Sequence, residues 1–241
     1  MKAKATTITL TAMNAALYAT VGYMTFLGIF TPVIGVVRFW PGVFIPAVFA
    51  TLFGPWVGGI GAAIGIFISD LIIHGNALLS LTVGVPANFI MFYLIGHITG
   101  RRFKSRPITL AAAAAIVLAV LLVSVKLPWE SGEGNVWILV ATITMPLLLL
   151  IGALRAKWTR YQFASTLGNA VGSLVVGFGV WGYSQFFILP SGGSSLPIMA
   201  AYMWVVWTFM NQIPFLVLLG PPVLKACEKT LPAALYRREL G

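Results

Sequence analysis

Residues 36–73 read VVRFWPGVFIPAVFATLFGPWVGGIGAAIGIFISDLII, an apolar ribbon about twice as long as a membrane-crossing helix needs. About 20 apolar residues rising 1.5 Å each cross the roughly 30 Å of hydrocarbon in a bilayer, and stretches of that kind recur along most of the chain. Hydrophobic residues make up 59% of the 241 and charged residues 8%, against roughly one-quarter charged in a soluble domain. A soluble core of this size could not hide so much apolar surface. Inside a bilayer every backbone polar group must find its partner within the protein, which runs of this length do as helices. The expected fold is an all-α, polytopic membrane bundle forming one transmembrane domain over residues 1–241.

Eight spans are expected, at approximately 8–30, 42–54, 56–73, 78–99, 108–126, 136–153, 162–187 and 198–224. The second and third meet at Gly54-Pro55. Proline suits the first turn of a new helix and glycine the end of an old one, so residues 42–73 should form a tight helical hairpin with a short first arm. The first span is too long for a removable signal peptide and its flank lacks a small-residue cleavage pattern, so it is expected to be retained. Charge placement supports the count. With a cytoplasmic N-terminus, the inner segments hold Lys2 and Lys4, the RRFKSR cluster at 101–106, Arg155, Lys157 and Arg160, and Lys225, Lys229, Arg237 and Arg238. Only Arg38 and Lys126 fall outside. This is the division that the positive-inside rule favours, with both termini cytoplasmic in the cell membrane. The same clusters explain the net charge of +10 without nucleic acid, which would call for one continuous basic stripe.

Catalysis finds no support. There is no HExxH, and His74 and His97 fall on opposite sides of the membrane in this topology, so no shared metal site is expected. Asp70 is the only carboxylate within an expected span, whereas a paired-aspartate protease needs two carboxylates sharing a proton. GYSQF around Ser184 lacks the second glycine of a nucleophile elbow, and no Walker A sequence is present. The lone Cys227 makes no disulfide within the chain. The protein is expected to be no enzyme and to use no cofactor, and energy for any transport must come from an ion gradient or from partner chains. Ion coupling through Asp70 stays open, although the residue lies near a helix end and not at the midplane where coupling sites usually sit.

Small residues mark close helix approaches. Ala12 and Ala16, and Ala15 and Ala19, are each four apart in TAMNAALYAT and so share helix faces; either packing inside the bundle or docking of a partner helix accounts for them. The pairs Gly54 and Gly58, Gly61 and Gly65, and Gly168 and Gly172 fit internal packing. Polar and aromatic residues gather towards the outer half: Arg38 and Trp40 before the second span, Asp70, His74 and Asn76 closing the third, Tyr183 and Gln185 ending the seventh, and Tyr202, Trp204 and Trp207 opening the eighth, with Thr208, Asn211 and Gln212 a turn deeper. Tryptophan and tyrosine also favour a membrane interface as a belt. A carboxylate near hydrocarbon must be paired or face water. Asp70 and Arg38 therefore form a structural ion pair, contact a ligand, or both.

Taken in order, three stretches resemble the substrate-binding S component of energy-coupling factor (ECF) transporters. The alanine face looks like that family's AxxxA docking signature, FIPAVFATLFGPWVGGIGAAIG looks like its second and third helices, and NQIPFLVLLGPPVLKAC is similar to its last helix. The likeness covers residues 8–100 and 162–229. It departs from the family's usual six helices by an inserted hairpin at 108–153, an even insertion that preserves the orientation of the later helices. The resemblance implies a subunit that captures a small molecule, such as a vitamin or its precursor, at the extracellular face. A transmembrane coupling protein and two cytoplasmic ATPases would supply energy. It implies a pocket using Arg38, Trp40, Asp70, His74, Asn76, Tyr183, Trp204, Trp207 and Asn211, with Ala12, Ala15, Ala16 and Ala19 facing the coupling protein. The alternatives are a self-sufficient ion-coupled transporter and a scaffold subunit that binds no ligand.

Overall fold

The computed structural model describes residues 2–27, 33–34, 37–101, 106–125 and 158–231. In order these form α1 (Lys2–Leu27), strands β1 (Val33–Ile34) and β2 (Val37–Arg38), a 3-10 turn at Pro41–Val43, α2 (Phe44–Phe53) and α3 (Pro55–Ile73). There follow α4 (Ala77–Thr99), α5 (Arg106–Val125), α6 (Thr159–Ser184) and α7 (Ile198–Thr230). The expected span at 136–153 lies outside the described residues.

Among the described residues four helices, α3, α4, α6 and α7, are long and apolar enough to cross a bilayer, and Pro41–Phe53 and Leu110–Ala119 are shorter apolar stretches. Large apolar side chains such as Ile64, Ile72, Leu81, Leu122, Leu174 and Leu218 stand exposed on the exterior. A surface of that kind is stable against lipid and not against water. The chain is an all-α membrane protein.

Gly54 and Pro55 set the α2–α3 turn. Gly54 takes φ 104°, a conformation L side chains rarely adopt, and its N–H still closes on Ala50 O at 3.0 Å. Pro55 then opens α3, where no donor is missed. From there α3 packs between α1 and α4, and α6 between α4 and α7. The core runs through Tyr18, Phe92, Ile95, Phe209, Leu216 and Leu224, all buried.

The α1–α3 contact decides the alanine question for half of the residues. Gly61 lies against Asn14, and Gly65 lies against the Ala15 carbonyl and the Tyr18 ring. Asn14 Nδ2 donates to the carbonyls of Val57 (3.0 Å) and Gly58 (3.3 Å), and Ser69 Oγ donates to Ala19 O at 3.2 Å. Ala15 and Ala19, at 4% and 9% exposure, are therefore spent on packing inside the bundle, which corrects their assignment to a partner interface. Ala12 and Ala16 remain exposed. Gly168 and Gly172 face Ile95 and Met91 of α4, as internal packing requires.

One element was not expected. Val33–Ile34 and Val37–Arg38 form an antiparallel pair, with Val33 opposite Arg38 and Ile34 opposite Val37. A second irregularity interrupts α4. Ser80–Gly84 is a π turn, closed by the Val85 N–H on Ser80 O. Such wide turns occur mostly as single insertions in α-helices, frequently at functional sites.

Candidate functional site

The C-terminal end of α3, the start of α4, the end of α6 and the start of α7 meet at one end of the bundle, beneath the β1–β2 pair. At the other end the Arg160 guanidinium donates to Arg101 O at 3.3 Å, drawing two of the basic clusters together. The first end holds a cavity of about 110 Å³, many times the roughly 10–15 Å³ that one water needs.

Every wall contributes. Tyr18 comes from α1, Val37, Arg38 and Trp40 from the strand and its exit, and Ile66 and Asp70 from α3, with His74 just beyond. The π turn and the helix around it supply Leu79, Val83, Gly84 and Asn88; α6 supplies Val176 and Val180; α7 supplies Thr208 and Gln212.

Asp70 is held by the π turn. Ser80 Oγ donates to its Oδ2 at 2.6 Å, and His74 Nε2 stands 3.4 Å from its Oδ1. His74 Nδ1 accepts the Asn76 N–H at 3.1 Å, which leaves the ring proton on Nε2, the atom facing Asp70. Gly84 makes the approach feasible, since a Cβ there would lie 2.8 Å from Asp70 Oδ2. Deeper in the wall, Tyr18 OH donates to Asn88 Oδ1 at 2.7 Å and Asn88 Nδ2 to Gly84 O at 2.9 Å, tying α1 to α4.

Arg38 faces the same cavity but makes no ion pair with Asp70 within 4.0 Å among the described residues. Its guanidinium lies 5.4 Å from the centre of the Phe26 ring, a cation–π contact. Burial lowers its proton affinity, and the Asp70 charge acts in the opposite sense. Of the two arrangements left open by the sequence, a direct structural pair is not the one formed.

Two buried polar atoms on cavity-lining residues have no hydrogen-bond partner: Thr208 Oγ1 and Gln212 Oε1. Buried polar groups are nearly always satisfied. Both atoms sit within the wall and have no surface open to the cavity space.

Other expected site residues build the frame instead. Trp207 Nε1 donates to Val37 O at 2.9 Å, and Asn211 Oδ1 accepts the Trp40 N–H at 3.2 Å while its Nδ2 donates to Trp207 O at 2.9 Å. Both clamp β2 onto α7. Asn76 Oδ1 caps Leu79 N at 2.9 Å, and its Nδ2 donates to Tyr183 OH at 3.2 Å, joining the α3–α4 turn to the end of α6. Trp204, 4% exposed, packs with Leu79, Val83, Val180, Tyr183 and Leu189 in a separate apolar cluster. Of the nine expected pocket residues, Arg38, Trp40, Asp70 and His74 line the cavity; Asn76, Tyr183, Trp204, Trp207 and Asn211 support it from behind. Tyr18, Ser80, Gly84 and Asn88 were missed. The available signal was a polar group embedded in an apolar span.

Among the described residues no cluster of three or more His, Cys, Asp or Glu could hold a metal ion. The chain matches no family model, no curated protein and no solved structure.

Proposed function

We propose that the chain is the substrate-binding subunit of an ECF-type importer in the cell membrane, taking up a small molecule at the extracellular face. Eight spans with cytoplasmic termini, counting the hairpin at 108–153, belong to this proposal. Energy comes from a transmembrane coupling protein and two cytoplasmic ATPases, because no nucleotide motif occurs in the chain. The observation that carries it is the cavity, lined by the charged Arg38 and Asp70 with few other polar groups, at the bundle end opposite Arg101 and Arg160. A pocket with few, converging polar groups in apolar walls is the usual form of a small-molecule site. The exposed Ala12 and Ala16 offer the face on which the coupling protein docks.

Two measurements test it. The purified chain should release a bound small molecule on denaturation, identifiable by mass spectrometry. Liposomes should show uptake of that molecule only when coupling protein and ATPases are reconstituted with the chain. One observation supports a second reading: Asp70, with Ser80 and His74 about it, is a cavity-lining carboxylate able to take up a proton or cation, although it lies at a helix end. Uptake by the chain alone, driven by a proton or sodium gradient and lost in Asp70→Asn, would establish ion-coupled transport instead.

A further inference from the structure

We infer that the substrate is a small zwitterion, bound with its anionic group at Arg38 and its cationic group towards Asp70. This rests on the cavity being the substrate site, as proposed above. Two opposite charges line one cavity, and each is held in place by something other than its counterpart. Arg38 is fixed on a strand and laid over Phe26, and its guanidinium has no carboxylate within 4.0 Å among the described residues. Asp70 is fixed by Ser80 and His74, on another element. Opposite charges this near a low-dielectric interior attract strongly unless the fold keeps them apart. Both line the one cavity, so a molecule with complementary ends placed there meets both.

Charge balance excludes the simpler ligands. The cavity carries one guanidinium and one carboxylate among its lining residues, with the His74 imidazole donating to that carboxylate. An anion bound at Arg38 would add a second negative charge beside Asp70, and a cation bound at Asp70 a second positive charge beside Arg38. A neutral molecule would leave the Arg38 guanidinium without a counter-charge after displacing its water, which is costly away from bulk solvent. A zwitterion satisfies both and leaves the site neutral.

The probe is the small molecule released by denaturing the purified full chain. Its mass, and its electrophoretic mobility between pH 2 and pH 11, on the order of the range spanned by carboxyl and amine titration, show which charges it carries. The expected result is a molecule with one acidic and one basic group and almost no net mobility near neutral pH. Its methyl ester and its N-acetyl derivative, offered as competitors to the wild-type chain, should each bind at least about tenfold more weakly, or roughly 1.4 kcal/mol. Arg38→Gln and Asp70→Asn should each retain at least about tenfold less on purification, while remaining monodisperse. The competition uses unaltered protein, so a variant that fails to fold does not affect it. A released molecule with charge of one sign only, or a derivative that competes as well as its parent, overturns the zwitterion while leaving the cavity as the substrate site. A chain that releases nothing and supports no uptake removes the substrate site, and the zwitterion with it.

Discussion

Asn211→Leu tests whether the strand pair is a closure over the cavity or only part of the scaffold. Leucine branches where asparagine does and offers neither acceptor nor donor. The lost acceptor matters most. Trp40 N–H, on a residue only 6% exposed, is left without the 3.2 Å bond to Asn211 Oδ1, and an orphaned buried donor costs about 1–3 kcal/mol. The lost donor adds less: the 2.9 Å bond from Nδ2 to Trp207 O lies within α7, where that carbonyl has a backbone partner in its own helix, and the reach of Nδ2 to Arg38 O on the strand is long at 3.5 Å. If the cost falls on seating the strand against α7, closure over a bound molecule weakens by the same amount, and retention falls by about 5-fold to 150-fold. Equilibrium dialysis of the molecule released from the wild-type chain reads this directly. Amide exchange at Trp40, followed by mass spectrometry in detergent, should accelerate in parallel. Unchanged affinity and unchanged Trp40 exchange, with only a lower melting temperature, would refute the closure and leave Asn211 as a packing residue.

Gly84→Ala should displace the Asp70 carboxylate, since the new Cβ would stand 2.8 Å from Oδ2 and 3.4 Å from Ser80 Oγ; overpacking of this sort costs about 1–3 kcal/mol, and a loss of affinity with little change in melting, read by dialysis and thermal scanning, is the expected split. Ala16→Trp, on an exposed face, should leave folding and binding intact but abolish co-purification with the coupling protein. Ala15→Trp should fail to fold, because that side chain faces the α3 surface around Gly65; gel filtration and pull-down separate the two. In a Cys227→Ser background, a cysteine at Ser191 should react with an impermeant maleimide from outside intact cells and one at Thr230 should not, and labelling in the opposite sense would invert the topology.

Much of the fold was legible because its signals are local. The apolar runs of α3, α4, α6 and α7 have the length a bilayer demands, and Gly54-Pro55 states where one helix stops and the next begins. The strand pair was not legible, since two residues per strand, Val33–Ile34 and Val37–Arg38, carry no alternation to read. The site divides the same way. Arg38 and Asp70 stood out because a charge beside hydrocarbon demands an explanation. Trp204 and Trp207 could not be assigned from sequence, because an indole stacking on a ligand, sitting in a belt or bonding a carbonyl has the same neighbours along the chain; Trp207 bonds Val37 O. Tyr18 and Asn88 were hidden for the opposite reason, as isolated polar groups in apolar helices whose partners, each other, are distant in sequence. The alanine stripe gave two candidate faces, and only the glycines across from it on α3 decide which is covered.

The π turn gives the bundle a removable part. Val85 N–H reaches back five residues to Ser80 O, so the helix holds one residue more than an α-helical path requires. Deleting one exposed residue there, such as Thr82, would let the backbone relax to ordinary winding. Because the wide turn already absorbs the extra residue, the helix on either side would keep its facing, and the change of winding would act locally, on the Ser80 hydroxyl that holds the Asp70 carboxylate, while α4 kept enough length to span. A change of one codon would thus unmake the wide turn and its grip on Asp70 while leaving the rest of the bundle in place.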